Sequence, residues 1–185
     1  MIWKLLITLS ILTFAAKTVY GSRNRRFNVI MYSIYCNHTD TVLRLECHLT
    51  KLATDRYVAS VKFMHNRNMA QNSVAHAVIY VRTPRTSKVV KFFDFKINVC
   101  DALSMSTYPI PLAKDLFDEA RRTSNLPYNC PIKGNYLYYM NNYTVTSELL
   151  PAYAPIMNFS FILNIYEDDK LIIASETQGG TIPKA

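Results

Sequence analysis

The stretch Asn158-Phe-Ser-Phe-Ile-Leu-Asn-Ile-Tyr-Glu-Asp-Asp-Lys-Leu-Ile-Ile-Ala-Ser175 decides the fold class. Phe159, Phe161, Leu163 and Ile165 fall on one side of an extended chain, and Asn158, Ser160 and Asn164 on the other. That period of two predicts a half-buried strand. Glu167-Asp168-Asp169-Lys170 joins it as a hairpin to a second apolar run, Leu171–Ser175. The paired acids there solvate a turn and do no acid–base work.

The same period recurs upstream. A β-rich run lies between Asn28 and Tyr35, and Leu43, Leu45, Cys47 and Leu49 alternate with Arg44, Glu46 and His48. Tyr57–Phe63, Ala75–Val81 and Val89–Val99 repeat the pattern, and Asn135–Val145 adds a further strand. His65–Ser73 and the basic, proline-containing Arg82–Lys88 read as connections. One segment has helical spacing: Pro111–Arg122 puts Leu112, Leu116, Phe117 and Ala120 on one face, Asp115, Asp118 and Glu119 towards solvent, and Arg121-Arg122 at its C-terminal end. Seven to nine short strands with a single helix at an edge or end predict a mainly β, two-sheet sandwich.

The chain has 185 residues, half of them apolar and 18% charged, which excludes disorder and suffices for one buried domain. Met1–Lys4 is a short positive start, Leu5–Ala16 an apolar run too short for a permanent span, and Val19-Tyr20-Gly21 a small-residue cleavage site. Residues 1–21 therefore read as a secretory signal and 22–185 as a single domain. Removing the signal takes Lys4 and Lys17 off a formal charge of +8. No later segment has the roughly 20 apolar residues of a spanning helix, and the polar Thr177–Ala185 lacks a lipid-anchor signal. The expectation is an extracellular protein, which disfavours nucleic acid as a partner. Arg23-Asn24-Arg25-Arg26 matches a dibasic processing site, although a solvated chain end explains it as well.

Four cysteines, Cys36, Cys47, Cys100 and Cys130, imply two disulfides in that compartment. Their spacing to His38, His48, His65 and His76 does not suit zinc, so no metal is expected. Sequons at Asn37, Asn142 and Asn158 are candidate glycosylation sites, the first two in or beside turns and the third on the solvent side of its strand. Nucleophile elbows, zinc-protease motifs and phosphate loops are all missing, and only four glycines are present. His76 alternates with Val74, Val78 and Tyr80, and no catalytic partner for it can be named. The tyrosines Tyr136, Tyr138, Tyr139 and Tyr143 suit cross-strand packing better than base stacking. Neither an enzyme nor a cofactor is expected.

From Phe92 to Phe161 the order Phe-Asp-Phe-Lys-Ile-Asn-Val-Cys100, the helix, Ser124-Asn125, Cys130-Pro131, Leu150-Pro151 and Pro155 resembles a secreted insect family with a domain of unknown function. That family includes the CheB chemosensory proteins. Cys36 and Cys47, with Leu49 beyond them, also sit where the family has its first two cysteines. Two departures stand out: Asn98 replaces a frequent acidic residue, and Met157 a glycine. The resemblance implies a fold similar to the ML lipid-recognition and ganglioside-activator proteins, two sheets splayed around an apolar ligand. Together with sequence proximity it implies the pairing Cys36–Cys47 and Cys100–Cys130, one of three possible. A tight turn at Asn37–Asp40 would set Cys36 beside Thr41, so the first bridge needs a wider loop. Phe93, Phe95, Phe161 and Leu163 become ligand-pocket candidates, while the period alone fits a filled core equally. Two functions follow: a non-catalytic carrier of a lipid or long-chain hydrocarbon, such as a chemical cue passed to a cell-surface receptor, or an extracellular interaction module with a closed core whose basic Arg82–Lys88 loop meets a partner.

Overall fold

Eight of the predicted extended runs become strands because their β-branched and aromatic residues suit a pleated surface with one face covered. The computed structural model describes residues 25–84, 86, 88–105 and 111–184. The strands are β1 (Phe27–His38), β2 (Val42–Ala53), β3 (Arg56–His65), β4 (Val74–Arg82), β5 (Val90–Asn98), β6 (Tyr138–Thr146), β7 (Asn158–Glu167) and β8 (Lys170–Pro183). They form two antiparallel sheets, a five-stranded one in the order β1-β8-β7-β4-β5 and a three-stranded one in the order β2-β3-β6. The two-sheet sandwich is thus the observed fold. The signal segment at 1–21 and the expected start at Ser22 lie outside the described residues.

Asp168 and Asp169 both take positive φ, 50° and 58°, giving the two-residue turn that the β7–β8 hairpin needs. Strand β8 runs well past Ser175. Gly179 and Gly180 explain why: a Cβ on Gly179 would lie 2.7 Å from the Ile30 carbonyl oxygen and from the Phe159 ring, and one on Gly180 would lie 2.8 Å from Asn158 Oδ1. The glycine pair permits close approach of neighbours within the sheet instead of ending it.

Among the described residues two helices are present where one was expected. The run through Val99 stops at Asn98, whose side chain accepts hydrogen bonds from the Cys100 and Asp101 amides and starts α1 (Val99–Ser104). Asn98 therefore does the capping work an acidic residue would do at that place. Helix α2 (Pro111–Thr123) matches the predicted span, and a single 3-10 turn follows β6 at Ser147–Leu149. Glu119 is not a solvent residue. Its carboxylate accepts from the Thr144 amide at 3.0 Å and pairs with Arg122, fastening α2 to β6. Arg121 reaches back to the Ala102, Leu103 and Met105 carbonyls at the end of α1. Arg25, read as part of a solvated end, is half-buried and donates to the Glu148 and Leu150 carbonyls.

Cys36 and Cys47 are joined, as are Cys100 and Cys130. The turn at Thr39–Thr41 carries the chain from one sheet to the other, so β1 and β2 face across the sandwich and the first bridge joins the sheets. That removes the conflict with a tight turn, because the two strands are not a hairpin within one sheet. The second bridge ties α1 to the segment leading into β6. One seam of the sandwich, β1 against β2, is thus covalently fastened; at the other, α1 continues from the end of β5 and α2 is fastened to β6. No helix among the described residues is long and apolar enough to cross a membrane.

Candidate functional site

The Cys36–Cys47 bridge identifies the inner faces, since both cysteines must point into the space between the sheets. Cys36 pairs with Ser175, Ser175 with Leu163, Leu163 with Ala77 and Ala77 with Phe95, forming one row across the five-stranded sheet. The next row is Ile34, Thr177, Phe161, Ile79 and Phe93. Directly opposed residues in antiparallel strands share a face. All four pocket candidates, Phe93, Phe95, Phe161 and Leu163, therefore lie side by side on the inner surface.

Burial along that surface is uneven. One sealed cluster, Phe27, Val29, Met31 and Tyr57, occupies one end, and another, Met69, Ile132, Tyr138 and Ile172, the opposite end. Between them Phe161 and Leu163 are only half-buried, although β7 is the middle strand of five. Val61 and Phe63 are likewise half-buried on β3, the middle strand of the other sheet, whereas Tyr57, Ala59 and His65 on the same strand are buried. On β7 the whole inner row is only partly buried, but Phe159 and Ile165 pack against the two end clusters, as Phe63 does on β3, whereas Phe161 and Leu163 belong to neither.

The chemistry of this belt is uniform. Among the described residues its two rows contain no charged side chain; Asp94, Lys96 and Glu176 alternate to the outer face, as do Glu46 and Lys62 on the smaller sheet. Ser175 donates to the Leu163 carbonyl at 2.9 Å. On the facing sheet Tyr143 donates to the Leu116 carbonyl at 3.3 Å, and its burial, with Glu119 nearby, holds the phenol well above its ordinary range. The Thr177 hydroxyl makes no hydrogen bond within the described chain.

A separate open depression of about 590 Å³ is lined by Arg26, Phe27, residues 152–156 and Pro183. It lies over the first sealed cluster, and none of the four candidates lines it. Its walls are loop and chain-end backbone, with Tyr153 81% exposed, and it brings no reactive groups together.

Polar groups elsewhere are structural locks that single-residue patterns did not reveal. Asp55, at positive φ in the β2–β3 turn, accepts from the Val29 amide and from the Ser147 amide and hydroxyl. Buried Glu167 accepts from the Arg67 guanidinium and from the Ala70 amide at 2.7 Å. His65 is fully buried, with Nδ1 2.7 Å from the Arg67 carbonyl and Nε2 3.8 Å from Glu167 Oε2. This cluster holds the β3–β4 connection against the β7–β8 hairpin and contains no nucleophile. Among the described residues no group of three His, Cys, Asp or Glu side chains could hold a metal. His76 has a partner on the outer face, Asp94 at 2.7 Å. Asp94 also binds Lys91, and the Lys91 ammonium, then His76, holds its carboxyl below the usual range.

The sequons are placed as follows. Asn37 is exposed at the end of β1. Asn142 is exposed but lies within β6, at a bulge opposite Ser60 with φ 59°, and not in a turn. Asn158 is exposed, as the alternation predicts, and accepts from the Tyr32 hydroxyl at 3.1 Å.

Residues 75–161 match a family model described as a protein of unknown function (DUF1091). The match spans β4 to the first half of β7, including the Cys100–Cys130 bridge, the Ser124-Asn125 mark and three of the four inner-face candidates, Phe93, Phe95 and Phe161. No curated protein matches the chain.

Proposed function

We propose that the protein is a secreted, non-catalytic carrier that buries an uncharged hydrophobic chain between its two sheets. The observation that carries this reading is the incomplete burial of Phe161 and Leu163, which belong to neither end cluster, at the centre of an inner face. A sandwich closed on itself packs such positions to crystal-like density, and leaving apolar surface wet forgoes about 25 cal/mol for each Å². A ligand covering the belt recovers that energy. The absence of charge from the two rows supports a neutral chain, because an ionised headgroup placed there would lose its hydration without gaining a counter-ion. A carboxylate or phosphate ligand would have to keep its head at the rim. The resemblance to the CheB chemosensory family and the ML lipid-recognition fold agrees with this reading, as do two disulfides. Glycans at Asn37, Asn142 and Asn158 and removal of residues 1–21 belong to the same secretory reading.

Native mass spectrometry of the protein secreted by cells, followed by displacement of diphenylhexatriene with alkanes, alcohols, esters and fatty acids of matched length, tests the proposal. The expected result is a co-purifying hydrophobe and probe displacement that strengthens by about 0.8 kcal/mol per methylene until the belt is filled, with neutral chains ahead of fatty acids. Protein that carries no hydrophobe and binds no probe would overturn it, and would favour the closed interaction module that presents the Arg82–Lys88 loop.

A further inference from the structure

The four edges of the two sheets are not equally free. Strands β1 and β2 meet at the disulfide seam, and β6 is capped by Asn125, whose amide donates to the Tyr139 carbonyl and whose side chain accepts from the Tyr139 amide at 2.7 Å. Among the described residues strand β5 pairs with β4 on one side only. Apolar side chains stand exposed at its start: the bulged Phe92 is 64% exposed, and Val90 and the preceding Val89 nearly half. An unpaired edge with exposed apolar residues is a template for another strand.

The charges on β5 select the partner and the register. Lys91 and His76 hold Asp94, whereas the side chain of Lys96, on the same outer face, has no ion pair or hydrogen bond among the described residues. A second copy of β5, related by a two-fold axis perpendicular to the sheet, keeps inner residues opposite inner residues, so the axis must pass through a residue. Centring on Asp94 or on Lys96 sets that charge against itself. Centring on Phe93 sets the Phe92 bulge, between Ile79 and Tyr80, beside the axis, whereas centring on Phe95 leaves it at the last pair of the ladder, opposite Asn98. Centring on Phe95 sets Asp94 opposite Lys96 twice and Phe93 opposite Ile97 twice, which complements both faces. Opposite charges directly across a ladder stabilise it, and like charges oppose it.

We propose that β5 is a self-association edge, through which two copies join antiparallel about Phe95 into a ten-stranded sheet held by reciprocal Asp94–Lys96 pairs. The partner is a second copy of this chain, because the complementarity is two-fold symmetric. The lysines and the bulge are also the devices by which edges resist pairing, so a strictly monomeric protein is the result that opposes the proposal. The inference does not depend on the carrier reading.

Sedimentation velocity from micromolar to millimolar concentration, with circular dichroism to verify folding, provides the test. Wild-type protein is expected to dimerise reversibly and less tightly as salt rises. Asp94→Lys and Lys96→Asp should each weaken the dimer about tenfold or more, since each places like charges opposite one another twice. The double variant Asp94→Lys/Lys96→Asp should restore it, because the exchanged charges face each other in the same register. A wild-type protein monomeric throughout, single reversals without effect, or a folded double variant that stays monomeric would each overturn the assignment.

Discussion

Tyr143 joins β6 to α2 through a hydroxyl that burial keeps protonated. A phenol whose folded value is raised favours the fold while it stays neutral. That contribution is complete below its ordinary value of 10.0 and is lost as pH climbs towards the folded value. Urea unfolding from pH 7 to 11 should therefore show an alkaline loss of stability that Tyr143→Phe diminishes, at a cost of about 1 kcal/mol at neutral pH for the missing hydrogen bond. Glu167 matters through its hydrogen bonds. Its carboxylate is buried against Arg67 and the Ala70 amide, so Glu167→Ala leaves a buried donor unanswered and should cost about 2–3 kcal/mol by the same measurement. The two residues differ in how visible they were. Tyr143 stood in a recognisable aromatic cluster, whereas the partners of Glu167 lie about a hundred positions away and no local pattern announces them.

At the level of elements, the strands were legible because alternation is a local property, and the β7–β8 hairpin was legible because Asp-Asp suits a turn that needs two positive φ values. Helix α1 was not. Its start depends on one Asn side chain turning back to two amides, and the apolar Val99 continues the strand pattern across that boundary. The length of β8 escaped for a related reason: Gly179-Gly180 is punctuation in most sequences, and here it is clearance. Gly134 is a sharper case. A Cβ there would lie 2.2 Å from the Arg67 carbonyl carbon, so the connection after Cys130 passes against the β3–β4 connection with no room for a side chain. Gly134→Ala should force the two apart, weakening the Asn135 amide to His65 carbonyl bond and the Met69 amide to Ile132 carbonyl bond. The expected outcome is about 1–3 kcal/mol of destabilisation, with hydrogen-exchange protection lost first at Met69 and Asn135.

For the whole molecule, the period placed Phe93, Phe95, Phe161 and Leu163 on one inner face and could go no further, because a filled core and a lined belt have the same alternation. The difference emerges only when the second sheet is in place and the centre of the sandwich can be compared with its ends. Phe161→Trp exploits that difference. The sequence has a single tryptophan, Trp3, so with residues 1–21 removed the new indole is a lone reporter at the centre of the belt. In a carrier it should shift the preferred ligand to shorter chains and respond in emission to ligand, with stability little changed. In a filled core it should instead cost about 1–3 kcal/mol through overpacking, and emission should ignore added hydrophobes.

The two outermost strands of the chain, β1 and β8, run side by side, and the Lys184 amide donates to the Arg26 carbonyl at 2.9 Å. The described backbone thus nearly closes into a ring, and the order in which its strands are synthesised is not built into its architecture. A gene rearranged to link the two ends by a few residues, with new termini in the Arg82–Lys88 connection, should encode the same sandwich. A segment joined before Arg25 and one joined after Lys184 would leave the described backbone at neighbouring points, beside the Phe27 cluster.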